Sequence, residues 1–173
     1  MMIYVALFFV FVFAVAIVQT NSNKERQKKI AIFSVEAPSR IRMFNDSMRL
    51  IETTNNAATF IERVDNIEEF LNWATEQIKN GMPLQMEGNI LSVRKQAYEL
   101  INSNALRVTL AEFAKWNEVP RKVGSRFDKA TAGAFEAVDG LLVCLKAVEN
   151  KSEVLPEMER IRDLIEEIYS DVK

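Results

Sequence analysis

Few residues in this chain are equipped for chemistry, and their spacing limits what they can do. Glu62, Asp65, Glu68 and Glu69 fall at intervals of three, three and one, which on a helix brings several carboxylates to one side. Di-metal centres in helical bundles draw a Glu-x-x-His pair from each of two helices, and this chain has no histidine. The acidic run therefore reads as a solvated helix face, and neither a metal nor a cofactor is expected. Cys144 is the single cysteine, set among Leu141, Leu142, Val143 and Leu145. With no adjacent base or cation to lower its pKa, it is expected to be an inert packed thiol. The lack of histidine also removes the commonest general base at neutral pH. No P-loop, Gly-x-Gly-x-x-Gly, Ca2+ loop or Cys-x-x-Cys occurs, and no nucleophile has a recognisable activating partner. Catalysis is not expected.

A second cluster, Lys115, Arg121, Lys122, Arg126 and Lys129, surrounds Pro120 beside Trp116 and Phe127. Cations interleaved with aromatics can hold a nucleic-acid backbone and stack its bases. The chain as a whole carries a net charge of -2, without the basic excess such binders have. An ordinary charged turn or a surface facing anionic lipid is the expected reading, with no nucleic-acid partner.

The elements that position these groups begin with an apolar run over residues 2–18, which contains no charge, amide, Gly or Pro. At 1.5 Å of rise per residue it covers roughly 26 Å, enough to span a hydrocarbon core of ~30 Å if the next two residues sit among headgroups. A membrane anchor is expected over residues 1–20. No Gly-x-x-x-Gly within it specifies dimerisation. Lys24, Arg26, Lys28 and Lys29 follow at once. By the positive-inside rule they place the amino terminus outside and the rest of the chain in the cytoplasm; the same cations can touch anionic headgroups. The competing reading is a secretory signal cut near Ala16, where Ala14, Val15 and Ala16 offer a small-x-small triplet.

Residues 21–38 are expected to form a basic stalk. Pro38 disfavours helix at Ala37, so a joint is expected over residues 34–37, with a new helix capped by Ser39. Ile41, Phe44, Met48 and Ile51 share its apolar face. Thr53, Thr54, Asn55 and Asn56 break that pattern. Phe60, Val64, Ile67, Leu71, Ala74 and Ile78 then keep a 4-3-4-3-4 spacing up to Gly81, an exit expected to use glycine in the left-handed conformation. The two helices should form an antiparallel hairpin.

Residues 89–117 are expected to form one helix, bent or frayed at Asn102, Ser103 and Asn104. Residues 124–150 should form the most buried helix, with a closely packable small run over 130–134. The last helix places Leu155, Met158, Ile161, Ile165, Ile168 and Val172 on one seam, expected to pack on the helix containing Phe60 to Ile78. The fold expected is all-α: one transmembrane helix, then an antiparallel bundle of about five helices over residues 39–173. Its heptad-like seams also allow coiled-coil pairing and a homo-oligomer.

Arg42-Met-Phe-Asn-Asp-Ser-Met-Arg-Leu-Ile-Glu-Thr-Thr-Asn-Asn56, followed by Thr59-Phe-Ile-Glu-Arg-Val-Asp65, resembles a segment of uncharacterised bacterial and prophage proteins. There an Asn-Asp-Ser helix leads through a Thr-Thr-Asn turn to a Ser-Arg-Tyr-Asp motif. Here Glu62, Arg63, Val64 and Asp65 depart from that motif. The resemblance covers residues 42–65 and implies a helical hairpin but no activity. The function expected is that of a single-pass membrane protein whose cytoplasmic helical domain binds an unidentified protein, as an adaptor or regulator at the bilayer.

Overall fold

The computed structural model describes the backbone of residues 2–82, 84, 89–119, 124–148 and 153–172, and the side chains of these from residue 23 onward except 125, 169, 171 and 172. Its five helices are α1 (Met2–Thr53), α2 (Ala57–Lys79), α3 (Ile90–Asn117), α4 (Ser125–Val148) and α5 (Leu155–Val172). Among the described residues there is no strand. Each helix runs back along its predecessor, and α3 packs against all four others.

The first departure from expectation is α1, which joins the expected anchor, stalk and first soluble helix into 52 continuous residues, roughly 78 Å at 1.5 Å per residue. Pro38 lies inside it and no joint forms over residues 34–37. A mid-helix proline removes one backbone bond and crowds the preceding turn, at a cost of about 3 kcal/mol. Two features offset this. Ser34, whose carbonyl loses its donor, and Pro38 itself are both exposed, so water can take the place of the missing N–H. On the adjoining face Phe33 and Ala37 are buried with Met82, and burying one phenylalanine gains about 1.5–3 kcal/mol. Tertiary packing thus balances the local preference of Ala37 for extended backbone.

The side chains of residues 2–22, and with them the anchor expected over 1–20, lie outside the described side chains. Among the described residues no helix is long and apolar enough to cross a membrane, so the expected transmembrane helix finds no support there.

The main core fills the space between the helices. Ile51, Phe60, Val64, Ile67, Leu71 and Ala74 are sealed within it, and so are Ala97, Ile101, Val108, Val138, Leu141, Met158 and Ile165. The seam of α2 is therefore consumed inside the molecule, apart from Ile78, which is exposed beyond the packed stretch. Gly81 takes a φ of 70° as the chain leaves α2, the left-handed conformation glycine adopts without steric cost.

α3 is one helix through residues 102–104. Ser103 Oγ and Asn104 Nδ2 both donate to the Leu100 carbonyl, at 3.0 and 2.9 Å, so their polar groups are satisfied along the helix. α5 corrects another expectation: it packs on α4 and α3 and makes no packing with α2 among the described residues. The exposed pair Lys146–Glu159, at 2.6 Å, bridges α4 and α5. In the small run over 130–134 Thr131 and Ala134 are buried, while Gly133 faces open space. A Cβ on Gly140 would lie 3.3 Å from Ile61 Cδ1, which marks the close approach of α2 and α4.

Candidate functional site

The region with a distinctive geometry is the end of the bundle where α1 leaves it. Lys24, Arg26, Lys28 and Lys29, the expected membrane-flanking cations, are all exposed, as are the residues between them. Among the described residues none of the four makes an ion pair. At about 100° per residue they spread over roughly 200° of arc. They form a collar around a rod, whereas a helix lying flat on a surface needs its cations along one side. Contact with the bundle begins at Ile30 and Phe33.

There α1 meets an aromatic ladder. Phe33 stacks on Trp73 with centroids 5.7 Å apart, Trp73 meets Phe70 at 5.7 Å, and Phe70 stacks on Phe44 at 4.5 Å. The Arg40 guanidinium sits 5.2 Å from the Trp73 ring centroid and donates to Glu69 Oε1 at 2.9 Å. A cleft of about 300 Å³ opens beside it, lined by Glu36, Ser39, Arg40, Met43 and Glu69. The expected carboxylate run is thereby divided. Glu69 serves Arg40 and Glu62 lies 3.2 Å from Arg63, while Glu68 hydrogen-bonds with Tyr98. No group of three potential metal ligands forms among the described residues.

At its other end α1 is held by α3. Arg107 donates to the carbonyls of Ile51 at 2.9 Å, Glu52 at 3.1 Å and Thr54 at 2.7 Å, and also to the Asn55 side chain. Asn104 Oδ1 accepts from Arg107 Nε and Nη2 at 3.2 and 3.1 Å and so orients the guanidinium. These carbonyls belong to the last turn of α1 and the turn after it, which carry a partial negative charge and lack intrahelical donors. Across the turn Glu112 Oε1 accepts from the Ala57 N–H at 2.8 Å, the positive end of α2. Lys115 Nζ donates to the Asn55 carbonyl at 3.0 Å and to Glu112 at 3.1 Å. Asn56 caps α2 through Thr59 N–H.

Around Pro120 only Lys115, Trp116, Arg126, Phe127 and Lys129 of the expected cluster are described. Trp116 and Phe127 are buried; the indole N–H donates to Thr131 Oγ1 at 2.9 Å, so neither ring is open to a base. Arg126 and Lys129 are exposed, while Arg121 and Lys122 lie outside the described residues. Cys144 is half-buried. Burial, reinforced by Asp65 and then Glu68, pushes its thiol up to about 11, the opposite of what a nucleophile needs. Burial and then its hydrogen bond with Glu68 raise Tyr98 as well.

Sequence reading missed Arg40, Trp73 and Arg107. Trp73 sits next to the α2 seam, and a signal for its partners exists: Phe33, Ala37, Ile41 and Phe44 are spaced 4, 4 and 3 apart, a helical period that crosses Pro38 unbroken. Arg107 bonds carbonyls more than fifty positions away, and no local pattern reports that. Comparison with family models, curated proteins and solved structures finds no match to this chain.

Proposed function

We propose that this protein is a single-pass membrane protein that carries a cytoplasmic five-helix bundle on α1 and acts by binding another protein, as an adaptor or regulator beside the bilayer. One observation carries the reading. α1 leaves the bundle as a rod whose exposed residues 23–29 carry four cations, Lys24, Arg26, Lys28 and Lys29, against the single carboxylate of Glu25, closely following the apolar run of residues 2–18. A cationic collar at the end of an apolar run suits passage through anionic headgroups, at about 1 kcal/mol per cation near the surface, and sets the downstream side as cytoplasmic. The resemblance of residues 42–65 to a segment of bacterial and prophage proteins implies no reaction. A binding role is supported by a thiol held protonated and by carboxylates that form no group of three potential metal ligands among the described residues.

A second reading rests on Ala14, Val15 and Ala16: cleavage there would yield a secreted or periplasmic bundle. Intact mass of the protein from its producing cells separates the two. The anchor reading expects a chain that retains residues 2–18, and a mass beginning near residue 17 would replace it with the second. Crosslinking the intact protein in native membranes is expected to capture a discrete protein partner; recovery of the uncrosslinked chain alone would contradict the adaptor role.

A further inference from the structure

We infer that α1 is a latched hinge: it breaks at Pro38 when the small aromatic core at the bundle's end lets go, and the packing of Phe33 on Trp73 selects the straight state. This inference concerns the chain itself and holds whether or not the apolar run enters a membrane.

The break point is set by covalent structure. Pro38 has no N–H to offer the Ser34 carbonyl, and both residues face solvent, so the ladder is already open where a bend would form. Ser34 Oγ instead donates backward to the Ala31 carbonyl at 2.8 Å. Ala37, ahead of proline, prefers extended backbone once nothing restrains it.

The restraint is local. Phe33, Ala37 and Met82 form a buried cluster of their own, with Ile30, Ile41, Trp73 and Leu84 packed against it. Its three buried residues are not part of the main core, which includes Phe44 and Ile51 of α1, but Ile41, Trp73 and Leu84 pack against both. Small clusters at the margin of a core open at lower cost than the core itself. Everything needed to keep the bundle intact lies after Pro38: Arg40 on Glu69 and Trp73, Phe44 on Phe70, and the Arg107 grip on the end of α1. Release of Phe33 would therefore swing the rod and its cationic collar relative to a bundle that stays folded. It would also uncover Met82 and Trp73, the latter beside Arg40 and Glu69, which stay with the bundle, so a protein that takes hold of those side chains would favour the bent state.

The test is a spin-label distance measurement on the full chain in detergent micelles, with Cys144→Ser as background and labels on Lys28→Cys and Lys95→Cys, all at exposed positions except residue 144. The otherwise unchanged chain should give one dominant distance. Phe33→Ala should raise the population at a second distance about tenfold or more. Adding Pro38→Ala to Phe33→Ala restores the missing backbone bond and should return the distribution to a single peak. An unchanged distribution in Phe33→Ala overturns the latch. A second peak that survives Pro38→Ala overturns the hinge.

Discussion

Cys144 illustrates how the surroundings of one side chain decide its chemistry. Its thiol is raised from an ordinary 9.0 to about 11, first by burial and then by Asp65 and Glu68. A group whose folded pKa is raised contributes stability that is complete below its unfolded value and is lost as pH climbs through the folded one. Between pH 9.0 and about 11 the unfolded chain gives up this proton and the folded chain keeps it, so stability falls with rising pH. Alkylation of the native protein by iodoacetamide is therefore expected to rise with a midpoint near pH 11, and Cys144→Ala should flatten the decline of the urea midpoint over the same window. An alkylation midpoint near 9 would contradict the packing described. The inert thiol was legible from its apolar neighbours in sequence; the two carboxylates that reinforce it come from α2, far away in the chain, and were not.

At the scale of elements, the turn between α1 and α2 depends on a cation from α3. Arg107 satisfies carbonyls of Ile51, Glu52 and Thr54, and its removal leaves the part-buried acceptors of Ile51 and Thr54 without that donor. Arg107→Ala is expected to cost about 2–4 kcal/mol, read as a lower urea midpoint. Arg107→Lys should recover only part of this, because an ammonium cannot fork across several carbonyls. Equal midpoints for all three proteins would remove the clamp from the account.

The helices were readable because apolar residues recur at helical spacing, as in the α2 series that begins at Phe60, and because Asn56 and Gly81 mark ends by local chemistry. Pro38 was misread for the complementary reason. Its local rule favours a break, while the packing that overrides it comes from Trp73 and Met82, about forty positions downstream. The partner of α5 was misread as well: an apolar seam states that a helix is buried without stating against which neighbour.

For the whole molecule, two ends of α1 have different tasks. Residues near Ile51 are locked to α3 through charged hydrogen bonds, whereas residues 23–29 stand clear of the bundle. The chain thus holds a rigid body at one end of a long helix and offers cations, then an apolar run, at the other. Our proposal of a membrane-placed binding protein rests on that asymmetry. The candidate site was half legible: the four cations stood out in sequence, but the bare rod beneath them, the aromatic ladder and the Arg40 contact required the third dimension. The most direct test is flotation of the full chain with native membranes after alkaline carbonate washing, beside a chain lacking residues 2–18. The full chain should float with the lipid and the shortened one should stay in the soluble fraction. An intact full-length chain that washes off with carbonate would contradict the claim that α1 anchors this bundle.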